Sequence, residues 1–155
     1  MSPGTQLEMT PRAVVEAFFF GLNQLAGMGD PYELIAENAT WEWSGNTPIS
    51  VVARGVHEIK KFVNLCNERI LAGNGRAVCA CEFIEEGNLV VLLMRARCES
   101  TRGQPYNNSY FVLCEVKGGK LVRIVEIFDD ALTMTSMFDH HVVESERYLP
   151  CGPNQ

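Results

Sequence analysis

Nowhere in these 155 residues do apolar side chains run for the ~18 positions that a membrane-spanning helix needs. The opening stretch MSPGTQLEMT also has neither a basic start nor an apolar signal segment. Both absences point to a cytoplasmic protein without a membrane partner. Positive charge is scarce: 13 Lys and Arg stand against 19 Asp and Glu, a formal net charge of −6, and the basic residues are scattered. With no basic cluster to neutralise a phosphate backbone, nucleic acid is not an expected partner. His57 falls on the polar side of a predicted first turn, where a solvated histidine is ordinary, and the adjacent His140 and His141 cannot share one face of a strand. Cys66, Cys79, Cys81, Cys98, Cys114 and Cys151 lack the C-x-x-C spacing of zinc or redox sites and read as small hydrophobes in a reduced compartment. There is neither a metal-ligand set nor a phosphate-cradling glycine loop, so no cofactor and no metal is expected.

What is present is ordinary globular material, 46% hydrophobic and 21% charged, in a length suited to one domain with one core. Residues 1–138 are expected to form that domain, and 139–155, with Pro150 and Pro153, a peripheral tail. Thr10-Pro11 supplies a cap and a first helical residue. A helix follows to about Leu25, its stripe of Val14, Val15, Phe18, Phe19 and Leu22 wide enough to pack on a sheet and line a cavity. Asp30-Pro31 repeats the signal for a short helix to about Glu37. Ala39–Trp43 alternates as a strand, and a third helix spans Val56 to about Leu71. Strands are expected over Arg76–Glu86, Leu89–Thr101, Tyr106–Val116 and Leu121–Phe128, with a short helix or cover over Ala131–Phe138. Helices first, then antiparallel strands joined by tight turns, reads as α+β.

The last two strands flank Lys117-Gly118-Gly119-Lys120, where Gly-Gly can take the positive φ of a tight hairpin. Alternation sets Glu126 in a row with Val122, Ile124 and Phe128, an acid among apolar neighbours. The order aromatic-Asn-Asn-x-Tyr, then Gly-Lys, Arg-Ile-x-Glu-x-Phe-Asp, over Gln104–Asp130, resembles the C-terminal hairpin of SnoaL-like, ketosteroid-isomerase-related proteins of the nuclear transport factor two-like superfamily. The resemblance covers about Thr10 to Phe138. It implies three helices packed in a strongly curved, mixed and mainly antiparallel sheet, a cone or half-barrel, but not one reaction, because that superfamily hosts isomerases, hydrolases, cyclases and non-catalytic modules.

The resemblance also implies a site. Trp43 stands where a ketosteroid isomerase carries its proton-moving aspartate, and Val112 where it carries an oxyanion-hole acid. Aligning the turn Arg102–Pro105 with its family counterpart places Arg95, Arg97 and Glu99 inward, beside Asn108, Tyr110 and Val112 on the next strand and Glu126 on the last. Glu99, Arg97 and Glu126 then resemble the acid–arginine–acid set of limonene-epoxide-hydrolase-like members, in which one carboxylate activates water and the other donates a proton. Here the acids are glutamates rather than aspartates, and Trp41 and Trp43 replace the family's water-orienting Tyr and Asn. Asp129 and Asp130 are alternative acids one step along. Trp41, Trp43, Arg95, Asn108, Tyr110, Phe128 and Phe19 are the candidate substrate contacts, with both tryptophans open to a core role.

In that register the row Val90, Leu92, Met94, Ala96, Cys98 faces outward and needs cover, which predicts a homodimer. Two functions remain open. One is a cofactor-independent enzyme acting by acid/base chemistry on an apolar polyketide-, terpene- or steroid-like molecule. The other is a non-catalytic ligand-binding or dimerisation module in which the charged cluster is structural.

Overall fold

The computed structural model describes residues 9–22, 29–69 and 77–138; the expected tail, 139–155, lies outside the described residues, as does the 23–25 end of the first helix. Thr10 caps α1 (Pro11–Leu22) as its residue type suggests, its hydroxyl accepting the Ala13 N–H at 3.2 Å. Asp30 does the same for the next turn, accepting from Tyr32 N–H at 3.0 Å. That turn stops early: Pro31–Leu34 is one turn of 3-10 helix, and β1 (Ile35–Ser44) begins where helix was expected to continue. Ile35, 3% exposed, pairs with Leu121, so burying a β-branched residue in the sheet outweighs the capping signal before it.

β2 (Val52–Arg54), α2 (Val56–Arg69), β3 (Ala77–Glu86), β4 (Leu89–Arg97), β5 (Asn108–Lys117), β6 (Lys120–Phe128) and α3 (Asp130–Phe138) complete the described chain. The six strands form one sheet in the order β2-β1-β6-β5-β4-β3, antiparallel except for β1 beside β6. Gly118 (φ 54°) and Gly119 (φ 71°) form the two-residue β5–β6 turn. The fold class is therefore the expected one, α+β with helices on a curved mixed sheet. α1 lies across β3–β6 and α2 across β1 and β2, so both helices bury the same sheet face.

On β4 the structure reverses the expected facing. Val90, Leu92, Met94 and Ala96 are buried in the core, whereas Arg95, Arg97 and Glu99 are exposed. The pairing leaves no other choice. Antiparallel partners share a face, and Met94 pairs with Tyr110 and Leu92 with Val112, while Arg95 pairs with Ser109. The turn alignment was out by one residue, and a one-residue slip exchanges every side chain between faces. Leaving two guanidiniums in water and burying four apolar side chains is also the cheaper arrangement. No described helix is long and apolar enough to cross a membrane.

Candidate active site

Alternation along β6 turns Ile124, Glu126 and Phe128 toward the helices, and a register shift in the β5–β6 ladder brings in Leu121 where Val122 was expected. Glu126 is 1% exposed, with Val112 of β5 opposite on one side and Trp43 of β1 opposite on the other. The two positions where the resemblance places a base and an oxyanion-hole acid thus flank a third position, and that one carries the acid.

Glu126 borders a cavity between the sheet and α2. Trp41 and Trp43 of β1, Tyr110 of β5 and Phe128 of β6 line its sheet side; Phe62, Val63, Cys66 and Asn67 of α2 lie across from them; Tyr106, Ile49 and Met137 of α3 complete the wall. The space open to the centre of a water-sized sphere is about 50 Å³, inside an envelope of about 510 Å³ that includes the mouth. This suits a few ordered waters or a small organic molecule. Trp41 and Trp43, two residues apart on one strand face, stack at 4.4 Å and 15°, and Phe62 tilts onto Trp43 at 4.5 Å. Both core and cavity roles therefore hold for the tryptophans. Phe19 does not reach the cavity; it packs edge-on behind Trp41 at 6.0 Å.

The expected triad is not assembled. Arg95 and Arg97 lie on the solvent side of β4, on the opposite sheet face from Glu126, and Glu99, just beyond the strand's end, is exposed as well. The alternative acids are engaged elsewhere. Asp129 accepts the Leu132 N–H at 2.9 Å at the start of α3, and Asp130 accepts the Asn46 N–H at 2.8 Å, tying α3 to the β1–β2 loop. Asn108 is inward and 2% exposed but is not among the residues lining the cavity; its amide holds the Tyr106 hydroxyl at 2.8 Å. Tyr110 and Phe128 do line the cavity and pair directly across the β5–β6 ladder.

Electrostatically the floor is acidic. The nearby Cys114 thiol is pushed well above its ordinary value, first by burial and then by the charge of Glu126, so it stays a neutral core group. Tyr106, Phe62, Cys66, Asn67 and Met137 are cavity residues that the sequence reading did not single out. For Tyr106 the signal was present, since it shares the parity of Asn108 and Tyr110; for Phe62 and Cys66, a helical apolar stripe alone does not separate core from cavity.

No family model and no curated protein matches the chain. Among solved structures it is similar to an NTF2-like protein of Burkholderia xenovorans LB400, at 16% identity and TM-score 0.69, over 82% of this chain and 95% of that one. It is also similar to TerC co-crystallized with polyporic acid, at 20% identity and TM-score 0.70, over 82% of this chain and 98% of that one. A third similar structure is a protein of ketosteroid isomerase-like fold from Catenulispora acidiphila in complex with trimethylamine, at 14% identity and TM-score 0.66, over 83% and 94% of the two chains. Likeness at these identities speaks to the fold, and with the sheet order and inward-facing cavity above it is plain: this chain has the nuclear transport factor 2-like, ketosteroid isomerase-like fold.

Proposed function

We propose that the protein is a cofactor-independent, cytoplasmic small-molecule enzyme in which Glu126 alone moves the proton, and that its reaction is the isomerisation of a small β,γ-unsaturated carbonyl compound to its conjugated isomer. The observation that carries this reading is a carboxyl group 1% exposed on the floor of an aromatic-lined cavity. Burial among apolar side chains disfavours the charged form of a carboxyl, which suits a group that must serve as base and then as acid. Glu126 would take a proton from the carbon between a carbonyl and a double bond and return it two carbons further on, shifting the double bond into conjugation with no net gain or loss of atoms. Trp41, Trp43 and Phe128 would hold the apolar frame and exclude water. Of the reaction types open from the sequence, epoxide hydrolysis is the least supported, because it requires a second acid and Glu99 faces solvent.

The test is conversion of 3-cyclohexen-1-one to 2-cyclohexen-1-one, followed by absorbance. The reading requires a wild-type rate above buffer and a Glu126→Gln rate at the buffer level. Equal rates for the two proteins contradict it. A second reading, a non-catalytic binding module, is favoured by the small cavity volume and by the trimethylamine complex of the Catenulispora protein. Binding of 3-cyclohexen-1-one without conversion would favour that reading.

We also infer a homodimer, on a different row from the one first expected. The outer sheet face carries Leu93, Phe111 and Ile127 in one row across three strands and Ile84, Val91, Leu113 and Val125 in the next. Ile84, Phe111 and Ile127 are 63%, 47% and 50% exposed. Arg95 borders this patch at one end and Glu86, Glu115, Arg123 and Lys117 at the other, so charged side chains rim an apolar centre of the kind a two-fold partner would cover. Sedimentation should give a dimer for the wild type and a monomer for Phe111→Lys; a monomeric wild type removes the inference.

A further inference from the structure

α3 is held over the cavity mainly by hydroxyls. The two side chains it buries are Thr133 and Ser136, three residues apart on one face, with Leu132 and Met137 half-buried beside them. The Ser136 hydroxyl donates to the Pro105 carbonyl at 3.0 Å, and the Thr133 hydroxyl lies 3.0 Å from that of Tyr106. Both ties run to the connection between β4 and β5. At its start α3 follows directly on β6 and is pinned there: the Asp129 N–H donates to Asn108 Oδ1 at 3.1 Å, and the Asp130 carboxylate accepts the Asn46 N–H at 2.8 Å. A swing about residues 129–130 would carry Met137, which lines the cavity at the other end of the helix.

The space open to the centre of a water-sized sphere is about 50 Å³. Pockets that enclose organic ligands measure about 300–1,000 Å³, so admitting one requires a wall to move. On the sheet side, Trp43, Glu126 and Tyr110 stand on strands laddered to one another. α2 is seated by Ile59 and Val63, 0% and 8% exposed, and lifting it would bring both into water. Lifting α3 would uncover two hydroxyls, which water satisfies with little net loss, and two apolar side chains that are already half-exposed. We propose that α3 is the gate of this cavity and that Met137 sets the size of ligand that fits beneath it. This rests on the reading of the cavity as a ligand site. Ligand enters under the raised helix, and closure returns Thr133 to Tyr106 and Ser136 to Pro105.

The gate is tested without ligand by hydrogen exchange. Trp41 lines the cavity and is fully buried, so its indole N–H exchanges when the cavity opens. Lifting one short helix exposes little surface, so this exchange should respond to low urea far less than that of the β6 amides, which need the whole fold to open. Thr133→Val and Ser136→Ala each remove one tie and should each speed it about fivefold, the worth of one neutral hydrogen bond. A urea response equal to that of β6, or a rate unmoved in both variants, overturns the gate. The size limit is tested with cyclohexanone and 2-tetralone, which differ by a fused ring, binding being read from tryptophan fluorescence. Met137→Ala should bind 2-tetralone at least tenfold more tightly than the wild type and cyclohexanone within about twofold. An equal change for both ketones overturns the role of Met137. If neither ketone binds to either protein, the ligand-site reading fails and the size limit with it, while the exchange rates still decide whether α3 opens.

Discussion

Leu92 and Leu93 are consecutive, chemically identical and on opposite faces of β4, so they measure directly which face is the core. Leu92 is 1% exposed, packed in the row that also holds Val90 and Met94; Leu93 is half-buried on the outer face between Glu82 and Phe111. Truncating a fully buried leucine removes its transfer free energy and leaves a cavity, about 3–4 kcal/mol together. Truncating one at a half-covered surface removes about 1 kcal/mol, with no cavity to maintain. In a domain of this size each kcal/mol lowers the melting temperature by about 2–4 °C, so Leu92→Ala should melt on the order of 10 °C lower and Leu93→Ala only a few degrees lower. Exposed Arg97 and Glu99 set the other arm: Arg97→Met and Glu99→Gln should each stay within about 0.5 kcal/mol of the wild type. Were Arg97 buried between Glu99 and Glu126, its removal would strand two carboxylates and cost about 3–5 kcal/mol. Urea unfolding followed by tryptophan fluorescence resolves these differences. Equal losses at Leu92 and Leu93, or a loss above about 2 kcal/mol for Arg97→Met, would refute the facing of β4 and return the triad to consideration.

Asp30 is held below the ordinary carboxylate range, first by its hydrogen bond from Lys60 (3.0 Å) and then by the Tyr32 N–H. A lowered folded pKa means stability that is present above the unfolded value of about 3.9 and lost as pH falls through the folded one. Asp30→Asn should therefore show a shallower acid loss in urea titrations, and an unchanged slope would contradict the pairing. Gly45 has φ +146°, and a Cβ there would collide with the Asp130 carboxylate. Gly45→Ala should destabilise by about 2 kcal/mol and break the Asn46–Asp130 hydrogen bond, with Asp130→Ala relieving the collision but not the backbone strain. A stable Gly45→Ala with the Asn46 amide shift unchanged would count against that contact.

The parts of this fold that could be read from sequence are those fixed by local chemistry. Gly118-Gly119 has few alternatives to a two-residue hairpin turn, and Thr10-Pro11 few alternatives to a helix start. Alternation on β6 put Glu126 in a row with Ile124 and Phe128, and the structure keeps those three together, while a register shift exchanges Val122 for Leu121. What could not be read locally depended on partners. Both rows of Leu89–Leu93 are apolar, so only the pairing of Leu92 with Val112 and Met94 with Tyr110 decides which is core. Asp30-Pro31 starts a helix with equal force whether or not Ile35 has a strand to join, and it is Leu121, remote in sequence, that claims Ile35. Asn108 carried the chemistry of a substrate contact; only the arrival of Asp129 and Thr133 from beyond β6 shows its amide holding Tyr106 in place. Phe19 is cavity-facing by periodicity but lies one aromatic layer too deep, behind Trp41.

The functional reading stands on one carboxyl group, and its titration is the most direct test. Carbon-detected NMR across the pH range, with Glu126→Gln to assign the resonance, should place Glu126 clearly above the ~4.3 of an exposed glutamate. The value should be the same in Arg97→Met, since that side chain is exposed on the other sheet face. A Glu126 that titrates near ~4.3 would mean its ionised form is as well solvated as on a surface, and the proposal of a single buried proton carrier would be wrong.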